Sequence, residues 1–210
     1  MILNKFLART EYDSYEDLYQ NFKLSIPSNF NFAYDVVDEY ARTEPKREAL
    51  VWCDDNDESH IFTFKDLSRA SQRTANFLVN NGIKKGDRVM LILRRRYEFW
   101  YFLLALHRIG AIAIPATNML SSHDLEYRFN AAGVKMVVTY DDPALQKEVE
   151  TAQEKCDSVE KRVIVGQARQ QWISFYDDYE ICPPVFVRPT GNGATTNDDI
   201  MIVYFTSGTF

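Results

Sequence analysis

The chain has 210 residues, 46 % of them hydrophobic and 26 % charged, with 30 acidic against 24 basic side chains and a net charge of −6. This is ordinary for a soluble globular protein with one core, or one and part of another. The acidic balance, with no basic stripe between aromatics, argues against nucleic acid as a partner.

Residues 12–32 mix tyrosine, phenylalanine and acids around Pro27 and read as an extended or short-helical arm lying over the core. Residues 32–43 have helical spacing, with Phe32, Val36, Val37 and Tyr40 on one face. Two strand-like runs, 49–53 and 60–64, flank the acidic stretch 54–58 and predict a hairpin, with Cys53 in its apolar strand expected in the core. The chain then alternates. A helix over 64–80 stopped by Gly82 leads to a strand over 87–93, a helix over 97–109 and a strand over 111–116 cut off by Pro115. A helix over 122–132 with Ser122 as N-cap, a strand over 135–140, a helix over 143–156, a strand over 162–165 and a helix over 172–180 follow. Strands separated by single helices predict an α/β fold: a mostly parallel sheet with helices on both faces, preceded by the β-hairpin. The expected division is an arm and helix over 1–44 packing on an α/β subdomain over 45–210. Residues 182–197, rich in Pro, Gly, Thr and Asn, read as a surface connection.

Residues 199–209 carry the chemistry. An apolar run, Ile200-Met201-Ile202-Val203-Tyr204-Phe205, breaks into Thr206-Ser207-Gly208-Thr209 and reads as a buried strand feeding a phosphate loop. The hydroxyls are donors, Gly208 lets backbone N–H groups approach an anion, and such sheets bind ligands at the carboxyl ends of their strands. A polar turn at a strand end has the same composition, so both readings stay open. No Walker-type Gly-x-x-x-x-Gly-Lys-Ser/Thr is present.

Tyr204-Phe205-Thr206-Ser207-Gly208-Thr209 resembles the opening of the signature loop of the AMP-forming acyl-CoA synthetases, the adenylate-forming family. The order and spacing of Phe62-Thr63-Phe64-Lys65-Asp66-Leu67, residues 82–89, Arg96-Tyr97-Glu98-Phe99-Trp100 and residues 110–117 are similar to medium-chain members, so the resemblance runs from about Tyr12 onward. It implies the N-terminal part of the synthetase fold and an acid–thiol ligase using ATP, Mg²⁺ and coenzyme A on a medium- or short-chain, or aromatic, carboxylic acid. Thr206, Ser207, Gly208 and Thr209 would bind the ATP phosphates, and no catalytic residue falls within the chain, which alone is expected to be inactive. Phe210 departs from the family's second Thr, and the Gly, Pro and Lys of the loop are missing, as in an N-terminal fragment whose last residue is a cloning end or an early stop. A module loading another thiol acceptor and a non-enzymatic α/β binding module are the alternatives.

Other features weigh less. Arg94-Arg95-Arg96, between a strand and a helix, sit either near coenzyme A or nucleotide phosphates, or are solvated and paired with Glu98 and other acids. A calcium loop starting at Asp55 would need Gly where His60 stands, so a solvated tip is expected and no metal site is assigned. His60, His107 and His123 lack ligand spacing, and His107 reads as packed. Cys53, Cys156 and Cys182, odd in number and far apart, form no disulfide framework. With no secretory signal and no run of about 20 apolar residues, the chain is expected to be cytoplasmic and without a transmembrane segment.

Overall fold

The computed structural model describes residues 2–206. After a short helix α1 (Tyr15–Asn21), residues 33–38 wind as wide π turns into α2 (Glu39–Thr43). Ala33 and Val37 are the buried positions of this stretch, while Phe32 stays half exposed at its start. Strands β1 (Glu48–Cys53) and β2 (Ser59–Thr63) pair antiparallel as the expected hairpin. This two-stranded ribbon stands apart from the main sheet, so its alternation leaves one face in water. Cys53 lies on that face and is exposed, correcting its expected place in the core.

The rest is βα alternation. Helix α3 (Phe64–Asn80) starts at a capping box in which Thr63 and Asp66 satisfy each other's backbone N–H groups. There follow β3 (Arg88–Leu91), α4 (Glu98–Ile109), β4 (Ile112–Pro115), α5 (Ser122–Ala132), β5 (Met136–Tyr140), α6 (Pro143–Gln153) and β6 (Lys161–Val165). Ser121, one residue before the expected cap, closes the capping box of α5 with Asp124. The helix expected over 172–180 is instead a two-residue strand β7 (Ile173–Ser174) followed by α7 (Phe175–Ile181).

The five strands form one all-parallel sheet in the order β4-β3-β5-β6-β7. Side chains alternate between its faces. Val89, Leu91, Met136, Val138 and Val163 pack under Phe77, Phe102, Leu106 and Phe175 of α3, α4 and α7. Met90, Ile92, Val137 and Ile164 pack under Leu125, Phe129, Leu145 and Val149 of α5 and α6. Each such buried side chain contributes about 1.5–3 kcal/mol, and coverage of both faces explains why the strands read as continuous apolar runs.

The segment around α2 is tied down by a fully buried cation. Arg108 of α4 donates to both Asp38 oxygens at 2.6 and 2.8 Å and to Ser71 of α3 at 3.0 Å. Removing the Asp38 carboxylate strands the buried Arg108 charge and costs about 3 kcal/mol.

The apolar run before Thr206 is not a buried strand. It touches the sheet through one parallel bridge, Ile202 to Ala113, outside the edge strand β4, with Ala113 donating to Met201 at 3.1 Å and Val203 donating to Ala113 at 2.9 Å. The run is paired on its β4 edge only; Ile202 packs partly on one face of the core and Val203 and Phe205 on the other, while Ile200 and Tyr204 are exposed. Among the described residues no helix is long and apolar enough to cross a membrane.

Candidate functional site

The strand order fixes where a site can form. From β3 the chain steps to β4 on one side, then returns to place β5 on the other, so the loops leaving β3 and β5 diverge at their carboxyl ends. In open parallel sheets this switch point leaves a crevice above the strands, where ligands bind. Here the crevice is a cleft of about 500 Å³.

Its floor is the loop after β3. Arg94 has φ 52°, a left-handed conformation that costs a non-glycine residue about 1 kcal/mol or more and that gathers at functional sites. Arg94 and Arg95 are exposed and line the cleft. Arg96 turns away. Its guanidinium donates to both oxygens of Glu98 at 3.0 and 3.2 Å and lies 4.0 Å from Asp141. Burial works against the Arg96 charge, but the Glu98 carboxylate outweighs it and raises its pKa. Glu98 is fully buried in the first turn of α4, where a negative charge complements the helix dipole, and it also accepts from the Tyr176 hydroxyl. Burial first, and then this carboxylate, push the Tyr176 pKa up. The pairing expected for the arginine run is therefore made by Arg96.

A polar relay bridges the ends of β4 and β5. Asn118 donates to the Tyr140 hydroxyl at 3.2 Å, and Tyr140 donates to Asp142 at 3.1 Å. Asp142 also caps α6 by accepting from Ala144 and Leu145. Burial and the Asp142 bond raise the Tyr140 pKa, while the charge of nearby Arg94 opposes them. On the far side stands the hairpin, where Trp52 donates its indole N–H to the Arg95 carbonyl at 2.7 Å and packs edge-on against Tyr97. Cys53, Asp54 and Asp55 complete that wall. A second recess of about 300 Å³ opens beside the cleft, between Arg94, Phe99 and Pro115-Ala116-Thr117.

Of the four residues expected to bind phosphate, Thr206 is exposed, and Ser207, Gly208 and Thr209 lie outside the described residues. Because residues 201–203 run parallel to β4, the chain heads for the same carboxyl edge as Arg94, with Phe205 against Tyr127 and Arg128 of α5. Asn118, Tyr140 and Asp142 were not singled out from the sequence. Their signal is position at or just past a strand end, which gains meaning only with the strand order.

The remaining candidates are structural. His60 stacks on Trp52 and pairs with Glu58 at 2.9 Å. His107 packs in the last turn of α4, where burial, with the Arg108 charge adding and Asp35 opposing, pushes its pKa down to about 4. At the acidic tip Asp54 accepts from the N–H groups of Asn56 and Glu58, and among the described residues no group of three or more His, Cys, Asp or Glu is placed to hold a metal ion.

Residues 37–209 match the family model described as AMP-binding enzyme. The chain is 35 % identical over 196 residues to the mitochondrial acyl-coenzyme A synthetase ACSM5 of Rattus norvegicus, covering 89 % of this chain and 32 % of the relative. It is 31 % identical over 219 residues to the mitochondrial acyl-coenzyme A synthetase ACSM3 of Homo sapiens, covering 98 % of this chain and 35 % of the relative. The solved structure of a Brucella canis acyl-CoA synthetase superposes with a TM-score of 0.79 at 25 % identity, over 94 % of this chain and 36 % of that one. The chain thus spans about a third of the length of the curated relatives it matches. Both of those relatives are mitochondrial by name, which overturns the cytoplasmic expectation. Unpaired cysteines suit any reducing compartment and could not distinguish one from another.

Proposed function

Because the chain belongs to the AMP-binding enzyme family, we propose that it forms the N-terminal part of an ATP-dependent ligase that activates a carboxylic acid and transfers the acyl group to coenzyme A. One observation carries the reading: the family match runs from α2 through the whole sheet to Thr209, so the fold and the Ser/Thr/Gly segment belong to one pattern. In this reading the acid's carboxylate attacks the α-phosphorus of ATP and pyrophosphate leaves. The thiol of coenzyme A then attacks the acyl carbonyl of the adenylate and AMP leaves.

This part of the protein binds and orients rather than reacts. The hydroxyls and backbone N–H groups of Thr206, Ser207, Gly208 and Thr209 are assigned to the β- and γ-phosphates, where fixed dipoles stabilise charge without reorganising. Arg94 and Arg95, free of ion pairs among the described residues, are assigned to the phosphates of a nucleotide-bearing substrate, coenzyme A. The described residues offer no carboxylate cluster for Mg²⁺, so no step is assigned to the metal here. Fatty acids of medium or short chain are the proposed substrates, in keeping with the acyl-coenzyme A synthetase relatives.

The test is carboxylate-dependent exchange of pyrophosphate into ATP, with acids from acetate to decanoate and benzoate. It compares the 210-residue chain with a polypeptide carrying the same residues at the head of the full family length. Exchange by the longer protein alone is expected. Exchange by the 210-residue chain would overturn the assignment of this part as non-catalytic, and no exchange by either with any acid would overturn the ligase reading.

A further inference from the structure

We propose that the acidic tip of the β1–β2 hairpin is a built-in counter-charge that gates the entry of anions to the arginine-lined cleft. The proposal rests on the reading of that cleft as a phosphate-accepting site and concerns its regulation.

The two walls carry opposite charge. Arg94 and Arg95 face Asp54 and Asp55 across about 500 Å³ of solvent, and no ion pair joins the walls among the described residues. Arg96 also lines the cleft but is paired with Glu98 and lies 4.0 Å from Asp141, so two cations without an ion pair, Arg94 and Arg95, stand against the two carboxylates of the tip.

The tip is built to hold its position. Asp54 accepts from the backbone N–H groups of Asn56 and Glu58, both at 2.9 Å, and from the Asn56 amide at 3.0 Å. These bonds hold its pKa below the usual carboxylate value, chiefly through the Asn56 N–H. Asp55 follows it, exposed. Below the tip, the 2.7 Å bond from Trp52 to the Arg95 carbonyl fastens the hairpin to the arginine loop itself. The negative tip therefore stands at a fixed height over the cations.

An incoming anion meets attraction from Arg94 and Arg95 and repulsion from the tip at similar range, so a small free anion gains little. A larger ligand with further contacts along the crevice overcomes the difference. At a separation of about 10 Å in water of low ionic strength, one charge changes the local concentration of a dianion by about threefold.

Cys53 supplies the readout, because it lines this cleft and is the one exposed cysteine, Cys156 and Cys182 being buried. The experiment measures the rate at which Cys53 reacts with a dianionic aromatic disulfide and with neutral iodoacetamide, in wild type, Asp55→Asn and Arg94→Gln, with and without pyrophosphate. Asp55→Asn should speed the dianionic reagent about threefold at low ionic strength, leave the iodoacetamide rate unchanged and lose its effect in about 0.5 M salt. Pyrophosphate should protect Cys53 more strongly in Asp55→Asn than in wild type, and not at all in Arg94→Gln. With pyrophosphate protecting wild type, an unchanged dianion rate in Asp55→Asn, or protection of that variant no stronger than of wild type, would overturn the gate while leaving the phosphate reading intact. Acceleration by Asp55→Asn without protection by pyrophosphate in any variant would uphold the counter-charge and overturn the phosphate reading. Asn has the shape of Asp, and the Asp55 carboxylate makes no hydrogen bond among the described residues, so the hairpin keeps its fold in the variant.

Discussion

The two ends of the parallel sheet use their cations in opposite ways. At the amino ends, Arg88 donates to the carbonyls of Ala132, Gly133 and Gly86, and Lys135 donates to the Gly82 carbonyl and to Asp87. These carbonyls close α5 and the turn after α3, where helices leave acceptors without partners. At the carboxyl ends the helices begin, and Asp124, Asp142 and Glu98 already satisfy or neutralise their first turns. Arg94 and Arg95 have no helix end to serve. A cation bound to backbone carbonyls marks stability; one held in left-handed backbone without an ion pair marks a surface kept for something else.

Changes at the amino ends should therefore cost stability and leave anion binding intact, and changes around Arg94 should do the reverse. The largest effect is expected from His107, in the last turn of α4. Its folded pKa of about 4 lies below the unfolded value near 6.5, so between these values the unfolded chain holds more protons. The stability it contributes is full above pH 6.5 and is lost as pH falls to 4, by about 3 kcal/mol. Urea unfolding across that range should be flatter for His107→Gln, and parallel curves would refute the assignment. Next, Gly133→Ala should lower stability by about 2 kcal/mol, because φ is +58° and the new Cβ would stand 2.6 Å from the Arg88 guanidinium. Pyrophosphate protection of Cys53 should not change. Ser121→Ala removes the cap of α5 at the carboxyl edge and should cost about 1 kcal/mol in thermal unfolding, again without effect on protection. The smallest change is the most diagnostic. Arg94→Gly relieves the positive φ and should gain about 0.5 kcal/mol while abolishing protection, and a loss of stability would mean that Arg94 is structural after all.

Much of the fold was legible because burial on both faces writes each inner strand as an apolar run and each helix as a 3.6-residue stripe. The helices over 64–80 and 122–132 begin and end where their capping residues and glycines place them. What stayed hidden depends on which strand neighbours which. Cys53 and the run before Thr206 look like core, yet one lies on a separate ribbon and the other outside an edge strand. Only the order β4-β3-β5 brings Asn118, Tyr140 and Arg94 into one cleft. Residue chemistry singled out the arginines; geometry was needed to show that Arg96 is paired and the other two are not.

The single bridge from Ile202 to Ala113 bears on vectorial synthesis. Strands β3 to β7 all precede residue 200, so a growing chain can form the edge at β4 before the run leading to Thr206 leaves the ribosome. That run then emerges after the edge strand it bridges, and the Ser/Thr/Gly segment follows it onto a platform already set.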